Sequence, residues 1–327
     1  MQVGIIGLGR MGKNMARRLK LGGHDVVVYN RTQSKVDQLV AQTGVKGTYT
    51  IEDFVGALSP KRIVWIMLPV GGPIDDHIDQ LTKLLHAGDI IVEGGNSFYK
   101  DDIRRAAQLE PLGIRYLDAG VSGGIWGLKV GYCTMVGGNK ADFDYIEPLL
   151  KTLAPQGGYL YCGQTGAGHF VKMVHNGVEY AMMEAYGEGF ELIKASPYGQ
   201  NLNLKDVAHL WNQGSVVRSW LLELLESAFE KDPELKSITG YVEDSGEGRW
   251  TVQQAIDFGV SATGIAHAVF KRFQSRQQDV FSDKVLAALR NEFGGHVVVS
   301  TGDQTAKGDS IGAGGVEPAR ADESKTS

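Results

Sequence analysis

The strongest constraint on this chain lies near its start, where Gly7-Leu8-Gly9-Arg10-Met11-Gly12 follows an apolar run and opens a helical one. Residues 2–7 read as a short buried strand. Residues 11–22 read as a helix, with Met11, Met15 and Leu19 at i, i+4 and i+8 on one face. In that setting G-x-G-x-x-G is far more specific than its spelling alone. The first glycine allows a tight turn, the second brings backbone close to a pyrophosphate, and the third lets helix and strand pack closely. The helix N-terminus then offers its N–H groups to the anion. A glycine-rich turn without a ligand is the alternative reading, and the strand-turn-helix context argues against it.

The rest of the first half continues the pattern. Residues 25–29 form a valine-rich strand, and further apolar runs follow at 62–68, 89–93 and 114–118, with helical stretches near 33–42, 73–86 and 100–110. Strands alternating with helices predict an α/β Rossmann-type, doubly wound parallel sheet. Residues 131–136 and 158–162 add two final strands around a helix at 141–153. After Gly163 the character changes. Gln164-Thr165-Gly166-Ala167-Gly168 is a glycine-rich break, and a long helix over 168–194 follows, ended by Ser196-Pro197. Helical segments over 204–213, 216–231, 251–258 and 262–289 come next, and no comparable strand run appears before Val297 to Val299. The expected domains are therefore an α/β domain over 1–163 and an all-α domain with one long helix over 164–301. Residues 302–327 carry almost no large apolar side chains and are expected to be a disordered tail.

Composition removes several classes of function. A length of 327 residues with 43% apolar content suits about two folded domains. A net charge of −5 without a dense basic patch argues against nucleic-acid binding. No apolar run reaches the ~18 residues of a membrane span. Cys133 and Cys162, far apart in sequence, fit a reducing compartment rather than a disulfide scaffold. The chain opens straight into its first strand with no export signal, so a cytoplasmic location is expected.

The end of the second strand bears on the cofactor. An NAD enzyme usually places an acid there to accept from the ribose 2′-hydroxyl. This chain has Asn30-Arg31-Thr32. A carboxylate would repel a 2′-phosphate and a guanidinium attracts it, so NADP is expected over NAD. A solvated loop role for Arg31 is the alternative.

The long helix carries Lys172, His175, Asn176 and Glu179, at offsets of 3, 4 and 7 from the lysine, on one helical stripe. A lysine in a partly dry cleft can have its pKa pulled toward neutrality and serve as a general base. A nearby carboxyl whose pKa is raised by burial can serve as a general acid. An exposed polar face is the alternative for any one of these residues; the four together point to chemistry. Two glycine-rich strand ends would face such a helix, Gly94-Gly95-Asn96-Ser97 and Asp118-Ala119-Gly120-Val121-Ser122-Gly123-Gly124. Ligands of open α/β sheets bind outside the carboxyl ends of the strands. Ordinary turns are the alternative for each.

These residues resemble the decarboxylating 6-phosphogluconate dehydrogenases in their short-chain form, within the β-hydroxyacid dehydrogenase superfamily. The resemblance runs through Gly-Leu-Gly-Arg-Met-Gly-Lys-Asn-Met from Gly7, Asn30-Arg31-Thr32, Gly94-Gly95-Asn96-Ser97, Val121-Ser122-Gly123-Gly124 and the stretch from His169 to Tyr180. It covers most of residues 1–180 and continues more weakly to about 300. The first glycine motif, Ser-Gly-Gly and the Lys172/Asn176 pair are shared across the superfamily; His175 with Glu179 and Tyr180 points to the phosphogluconate branch.

The resemblance implies an NADP-dependent oxidative decarboxylation of 6-phosphogluconate to ribulose 5-phosphate. Lys172 would take the proton of the 3-hydroxyl, the β-keto acid would lose CO2, and Glu179 would protonate C1 of the enediol, with no metal required. It implies a cofactor set of Gly7, Leu8, Gly9, Met11, Gly12, Asn30, Arg31, Thr32, Leu68 and Asn96. Asn96, Ser122, Gly123, Gly124, Lys172, His175, Asn176 and Glu179 would hold the sugar acid. Tyr180, Arg272, Arg290 and His296 would form the phosphate end. The segment with Arg290 and His296 would reach a neighbouring subunit's site, implying a homodimer or higher oligomer. One departure stands out: longer members carry a lysine where Ser245 stands, with Arg249 nearby as a possible substitute. Two other functions compete, a dehydrogenase of a small unphosphorylated acid and a non-enzymatic NADPH sensor. Glu179, Arg272 and Arg290 argue against the first, and the Lys172–Glu179 stripe against the second.

Overall fold

A computed structural model describes residues 1–299. Residues 1–275 form one compact unit, and the residues from Arg276 on form a second. The expected tail over 302–327 lies outside the described residues.

The first unit begins with β1 (Gln2–Ile6), α1 (Arg10–Leu21), β2 (Asp25–Tyr29), α2 (Gln33–Thr43), β3 (Lys46–Thr48) and α3 (Ile51–Gly56). It continues through β4 (Ile63–Ile66), α4 (Gly72–Leu81), β5 (Ile90–Glu93), α5 (Tyr99–Leu109), β6 (Arg115–Ser122) and the short α6 (Gly127–Val130). β7 (Cys133–Gly138), α7 (Lys140–Leu153) and β8 (Tyr159–Gly163) complete the sheet. Its eight strands run in the order β3-β2-β1-β4-β5-β6-β7-β8. Central strands β4 and β5, Ile-Val-Trp-Ile and Ile-Ile-Val-Glu, are buried along their whole length, as strands covered on both faces must be. One core layer lies under α1, α2 and α7, with Met15, Leu39 and Ile146 fully buried. The other lies under α3, α4 and α5, with Phe54, Ile78 and Leu109 fully buried.

The sheet departs from the expected all-parallel pattern at one pair. β6 and β7 are antiparallel, with Ser122 opposite Cys133. Only residues 123–132 join them, fewer than the dozen or more that a parallel crossover needs. That pairing carries β6 on through residues 119–122, which the sequence analysis placed beyond a strand ending at 118. β3 and α3 were not anticipated; Lys-Gly-Thr has no apolar run, and its backbone ladder to β2 makes it a strand.

Helices form the remainder of the unit: α8 (Ala167–Ala195), α9 (Leu204–Trp211), α10 (Trp220–Lys231), α11 (Glu247–Phe258) and α12 (Thr263–Gln274). α8 spans 29 residues and is the spine on which the others pack. α10 starts at Trp220 rather than 216 because Ser219 caps it, accepting from the Leu222 amide at 3.2 Å. The expected helix over 262–289 is two helices, since α12 stops at Gln274 and α13 (Phe281–Gly294) opens the second unit. Asp279, between them, has φ 51, a left-handed backbone that an α-helix cannot contain. Val297–Val299 form no strand. Among the described residues no helix is long and apolar enough to cross a membrane.

Candidate active site

The turn from β1 into α1 separates two kinds of glycine. Gly7 has φ +96, and a Cβ there would lie 2.4 Å from the Met67 carbonyl oxygen. A Cβ at Gly12 would lie 2.0 Å from the Gly7 carbonyl oxygen. The fold itself therefore requires both. Gly9 differs, because a Cβ on it would meet nothing within 4 Å. None of the described residues demands a glycine at that position, so the open space beside it fits the close approach of a ligand. Gly9 also caps α1 without a side-chain hydrogen bond, and the first turn holds no acid, leaving the helix N-terminus open to an anion. These features fit a dinucleotide pyrophosphate.

The neighbouring candidates are in place around this turn. Leu8 is buried, Met11 packs on the core below α1, and a Leu68 methyl lies against Gly7. Asn30 at the end of β2 is committed to the backbone: its Oδ1 accepts from the Leu8 amide at 2.9 Å and its Nδ2 donates to the Thr32 carbonyl at 3.2 Å. Asn30 thus ties β2 to the glycine turn. Arg31 and Thr32 are exposed beside it.

At the other end of the sheet, two glycines let α8 lie directly on the strands. A Cβ on Gly120 of β6 would come within 2.3 Å of Lys172 Cβ, and one on Gly168 would meet the Met135 carbonyl at 2.5 Å. Asp118 of β6, buried, caps α8: its Oδ1 accepts from the Gly166 amide at 2.7 Å and its Oδ2 from the His169 amide at 2.9 Å. The close approach buries Lys172, which is 6% exposed. Its Nζ donates to Asn176 Oδ1 at 2.6 Å and lies 3.4 Å from His175 Nδ1. His175 Nδ1 also meets Asn176 Oδ1 at 3.0 Å, while Nε2 is 3.5 Å from the Ser122 hydroxyl. Glu179, one turn further along, stands 3.9 Å from His175. The stripe read from the sequence is thus one contiguous polar cluster, beside the Ser122-Gly123-Gly124 end of β6. Asn96 is half-buried in the turn after β5.

Burial lowers the Lys172 pKa, and the carboxylates of Glu179 and Glu247 oppose that by favouring the ammonium. Burial thus shifts the lysine toward its neutral form, next to an imidazole, an amide and a half-exposed carboxyl.

Sequence reasoning missed Glu247. It is 1% exposed at the start of α11, between Gly246 and Gly248, and neither carboxylate oxygen has a hydrogen-bond partner among the described residues. Its signal was faint, an acid between two glycines opening a helix. Also missed was a buried ionic layer under the Asn96 turn, made of Glu93, Asp102, Arg105 and His169. Acids at the ends of apolar strands were its only trace.

The expected phosphate end is partly assembled. Arg272 of α12 is buried with its guanidinium 3.6 Å above the Tyr180 ring, and the Tyr180 hydroxyl accepts from the Ser245 amide at 3.2 Å. Gly248 allows this packing, since a Cβ there would strike the Tyr180 ring at 2.6 Å. Arg249, the candidate substitute for the lysine absent at Ser245, is paired with a neighbouring acid. Its Nε and Nη2 each donate to Asp244 at 2.8 Å, a two-pronged pair that engages the guanidinium. Arg290 and His296 belong to the second unit, on and just after α13, where the Asn291 amide donates to the His296 carbonyl at 2.9 Å.

Comparison with known proteins places both halves of the chain in one family. Residues 2–165 match the NAD-binding domain family of 6-phosphogluconate dehydrogenase, and residues 168–294 match the family of its C-terminal domain. A Bacillus subtilis (strain 168) protein is 47% identical over 296 residues, spanning 90% of this chain and 98% of that one. The NAD(+)-dependent, decarboxylating 6-phosphogluconate dehydrogenase of Haloferax volcanii is 41% identical over 305 residues, 93% of this chain and all of that one. Among solved structures, the 6-phosphogluconate dehydrogenase of Plasmodium falciparum, described in apo form, with NADP+ and with its substrate 6-phosphogluconate, superposes with a TM-score of 0.78 at 28% identity. That match covers 92% of this chain and 67% of the other.

Proposed function

The chain belongs to the 6-phosphogluconate dehydrogenase family, and on that premise we propose that it oxidatively decarboxylates 6-phosphogluconate to ribulose 5-phosphate and CO2, using NADP. The observation that carries the reading is the buried Lys172 bonded to Asn176 beside His175 and Glu179. The bound nicotinamide supplies a hydride acceptor. Lys172, its ammonium disfavoured by burial, removes the proton of the 3-hydroxyl as C3 is oxidised. The lysinium then donates to the new carbonyl oxygen, which draws in the electron pair released as CO2 leaves the β-keto acid. Glu179 delivers a proton to C1 of the enediol while Lys172 takes back the hydroxyl proton, so that the ketone of ribulose 5-phosphate forms. Asn176 and His175 orient the lysine, and Ser122, Gly123, Gly124 and Asn96 hold the carboxyl and hydroxyl groups of the sugar acid.

The exposed guanidinium of Arg31, with no acid at that strand end, favours NADP over NAD. The Haloferax volcanii relative uses NAD(+), so the preference is this chain's own to be measured. Tyr180 and Arg272 receive the phosphate end, completed by Arg290 and His296 of a second copy in a homodimer or higher assembly. In support, α13 carries Phe281, Val285, Leu289 and Phe293 four residues apart, all exposed. In this reading residues 1–163 hold the cofactor, residues 164–301 hold the substrate and the subunit contact, and the enzyme works in the cytoplasm. The test is direct: purified protein with gluconate 6-phosphate and either NADP or NAD, followed by absorbance of reduced cofactor with CO2 trapped. Reduction without CO2 supports a simple hydroxyacid dehydrogenase instead, and cofactor binding without reduction supports a sensor.

A further inference from the structure

His169 is wholly buried three residues ahead of Lys172, and three hydrogen bonds tie it to the three segments that frame the site. Its ring Nδ1 lies 2.8 Å from Asp102 Oδ2 on α5. Its ring Nε2 lies 3.1 Å from the Gly95 carbonyl oxygen, in the turn that presents Asn96. Its backbone amide donates to Asp118 of β6 at 2.9 Å. Both ring partners offer acceptor oxygens, a carboxylate and a carbonyl. A neutral imidazole has one N–H and would turn a lone pair toward one of them, whereas an imidazolium donates to both.

We propose that His169 is a positioning residue, a buried imidazolium that locks the Asn96 turn against α8 and so fixes the distance between Asn96 and Lys172. This rests on the reaction proposed above for Lys172, although the lock itself does not. The surroundings suit a buried cation. Glu93 of β5 comes within 3.9 Å of Nδ1, and Asp118 and Asp102 add two more carboxylates. Arg105 of α5 reaches Glu93 at 3.4 Å and Asp102 at 4.0 Å, and bonds to Asp75 of α4 at 2.7 Å. The Tyr116 hydroxyl donates to the other oxygen of Asp102 at 2.8 Å. Three buried carboxylates against one arginine leave room for a second positive charge. Burial alone would lower the His169 pKa; Asp102, Glu93 and Asp118 outweigh it and raise the ring to about 10. The Glu93 Oε1 oxygen in turn accepts from the Gly95 amide at 2.6 Å, so the same charged layer grips the turn at both its N–H and its carbonyl.

Two measurements test the lock without substrate, and one with it. Nitrogen-15 NMR of the ring in the full chain, assigned by its loss in His169→Gln, is expected to show both nitrogens protonated at pH 8.5; a singly protonated ring there overturns the proposal. Hydrogen exchange in His169→Gln is expected to rise at least roughly tenfold over residues 94–98 while β1 and β2 keep their protection. Unchanged exchange over 94–98 overturns it. With gluconate 6-phosphate and NADP, His169→Gln is expected to lose about 10- to 100-fold in kcat, as small misplacements of reacting groups do, with KM for NADP nearly constant. A variant that folds and keeps kcat within threefold overturns it. If the parent chain does not turn over this substrate, the functional reading fails while the ring and exchange measurements still decide the lock. If His169→Gln does not fold, the parent's ring signal is assigned by elimination, as the one that survives replacement of each of the other seven histidines in turn, and it decides alone.

Discussion

Replacing Gly9 and Gly12 one at a time by alanine separates what the fold needs from what the ligand needs. Gly12→Ala puts a Cβ 2.0 Å from the Gly7 carbonyl oxygen and 3.0 Å from Met67 Cβ. Both neighbours are held by the sheet, so α1 must back away from β1. Overpacking of this kind costs about 1–3 kcal/mol. At about 2–4 °C per kcal/mol for a unit of this size, the melting temperature should fall by roughly 2–12 °C. Gly9→Ala meets no protein atom within 4 Å, and φ −70, ψ −172 is extended backbone that alanine adopts freely. Two small effects then oppose each other. Alanine narrows the unfolded ensemble, worth about 0.4–1 kcal/mol, while glycine is preferred to alanine at a helix N-cap by a similar amount. Net stability should stay within about 1 kcal/mol of the parent. Cofactor binding should not survive as well, because the methyl occupies the space reserved for the pyrophosphate. If the same 1–3 kcal/mol of crowding falls on the complex, affinity for NADPH drops roughly 5- to 150-fold. Thermal melts of the apo proteins and fluorescence titration with NADPH read the two effects separately. Parent-like NADPH affinity in Gly9→Ala, or equal destabilisation by both substitutions, would refute the assignment of this turn.

Lys172→Met should fold and bind NADP yet lose about 100- to 10,000-fold in turnover, the usual worth of a general base; steady-state assays beside a cofactor titration check both halves. Arg31→Ala should lower kcat/KM for NADP by about tenfold, the lower end for a charge-assisted hydrogen bond at an exposed site, and leave NAD nearly unaffected. Asn30 is left intact in that test because its carbonyl oxygen holds the Leu8 amide. Glu247→Gln removes a carboxylate that favours the Lys172 ammonium, so the Lys172 pKa should fall further. The acid limb of the kcat/KM pH profile should move to lower pH, and a shift to higher pH or none would show that Glu247 does not act on the lysine.

The parts of this molecule that follow a period were legible in the sequence. Met11, Met15 and Leu19 face the core as their spacing demands, and β1, β2, β4 and β5 lie within the apolar runs that announced them. Lys172, His175 and Asn176 share one helical stripe, and the stripe alone brings them together. Elements set by pairing rather than by side-chain pattern were not legible. β3 is Lys-Gly-Thr, and only its ladder to β2 makes it a strand. The extension of β6 through Gly120 depends on β7 arriving antiparallel, which no local residue encodes. The continuous periodicity over 262–289 concealed a break, because side chains on both sides kept the apolar spacing while the backbone at Asp279 turned left-handed. The ionic layer of Glu93, Asp102, Arg105 and His169 was invisible for the same reason. Glu93, Asp102 and Arg105 lie close in sequence, but His169 comes from a helix 64 residues beyond Arg105, and each reads locally as an ordinary surface charge.

The reactivity proposed for Lys172 depends on residues that do no chemistry. A lysine on a helix normally reaches water, and its pKa then stays high. Here Gly120 and Gly168 remove the two Cβ atoms that would hold α8 off the sheet, and Asp118 secures the first turn of the helix by accepting two of its free amides. Buried by that approach, Lys172 loses its hydration, which favours the neutral amine. Any side chain at Gly120 must push α8 away by an ångström or more, since its Cβ would stand 2.3 Å from that of Lys172. Such a change would rehydrate the amine, let its pKa rise and leave it protonated, so that it could not accept the hydroxyl proton, even with every polar group of the cluster still present. Glu179 and Glu247 set the opposite limit, because without some favouring of the ammonium the lysine could not return a proton to the carbonyl oxygen later in the same cycle. The site therefore needs a lysine poised between two forms, and the glycines of the sheet and the acids of α8 and α11 pull it from opposite sides.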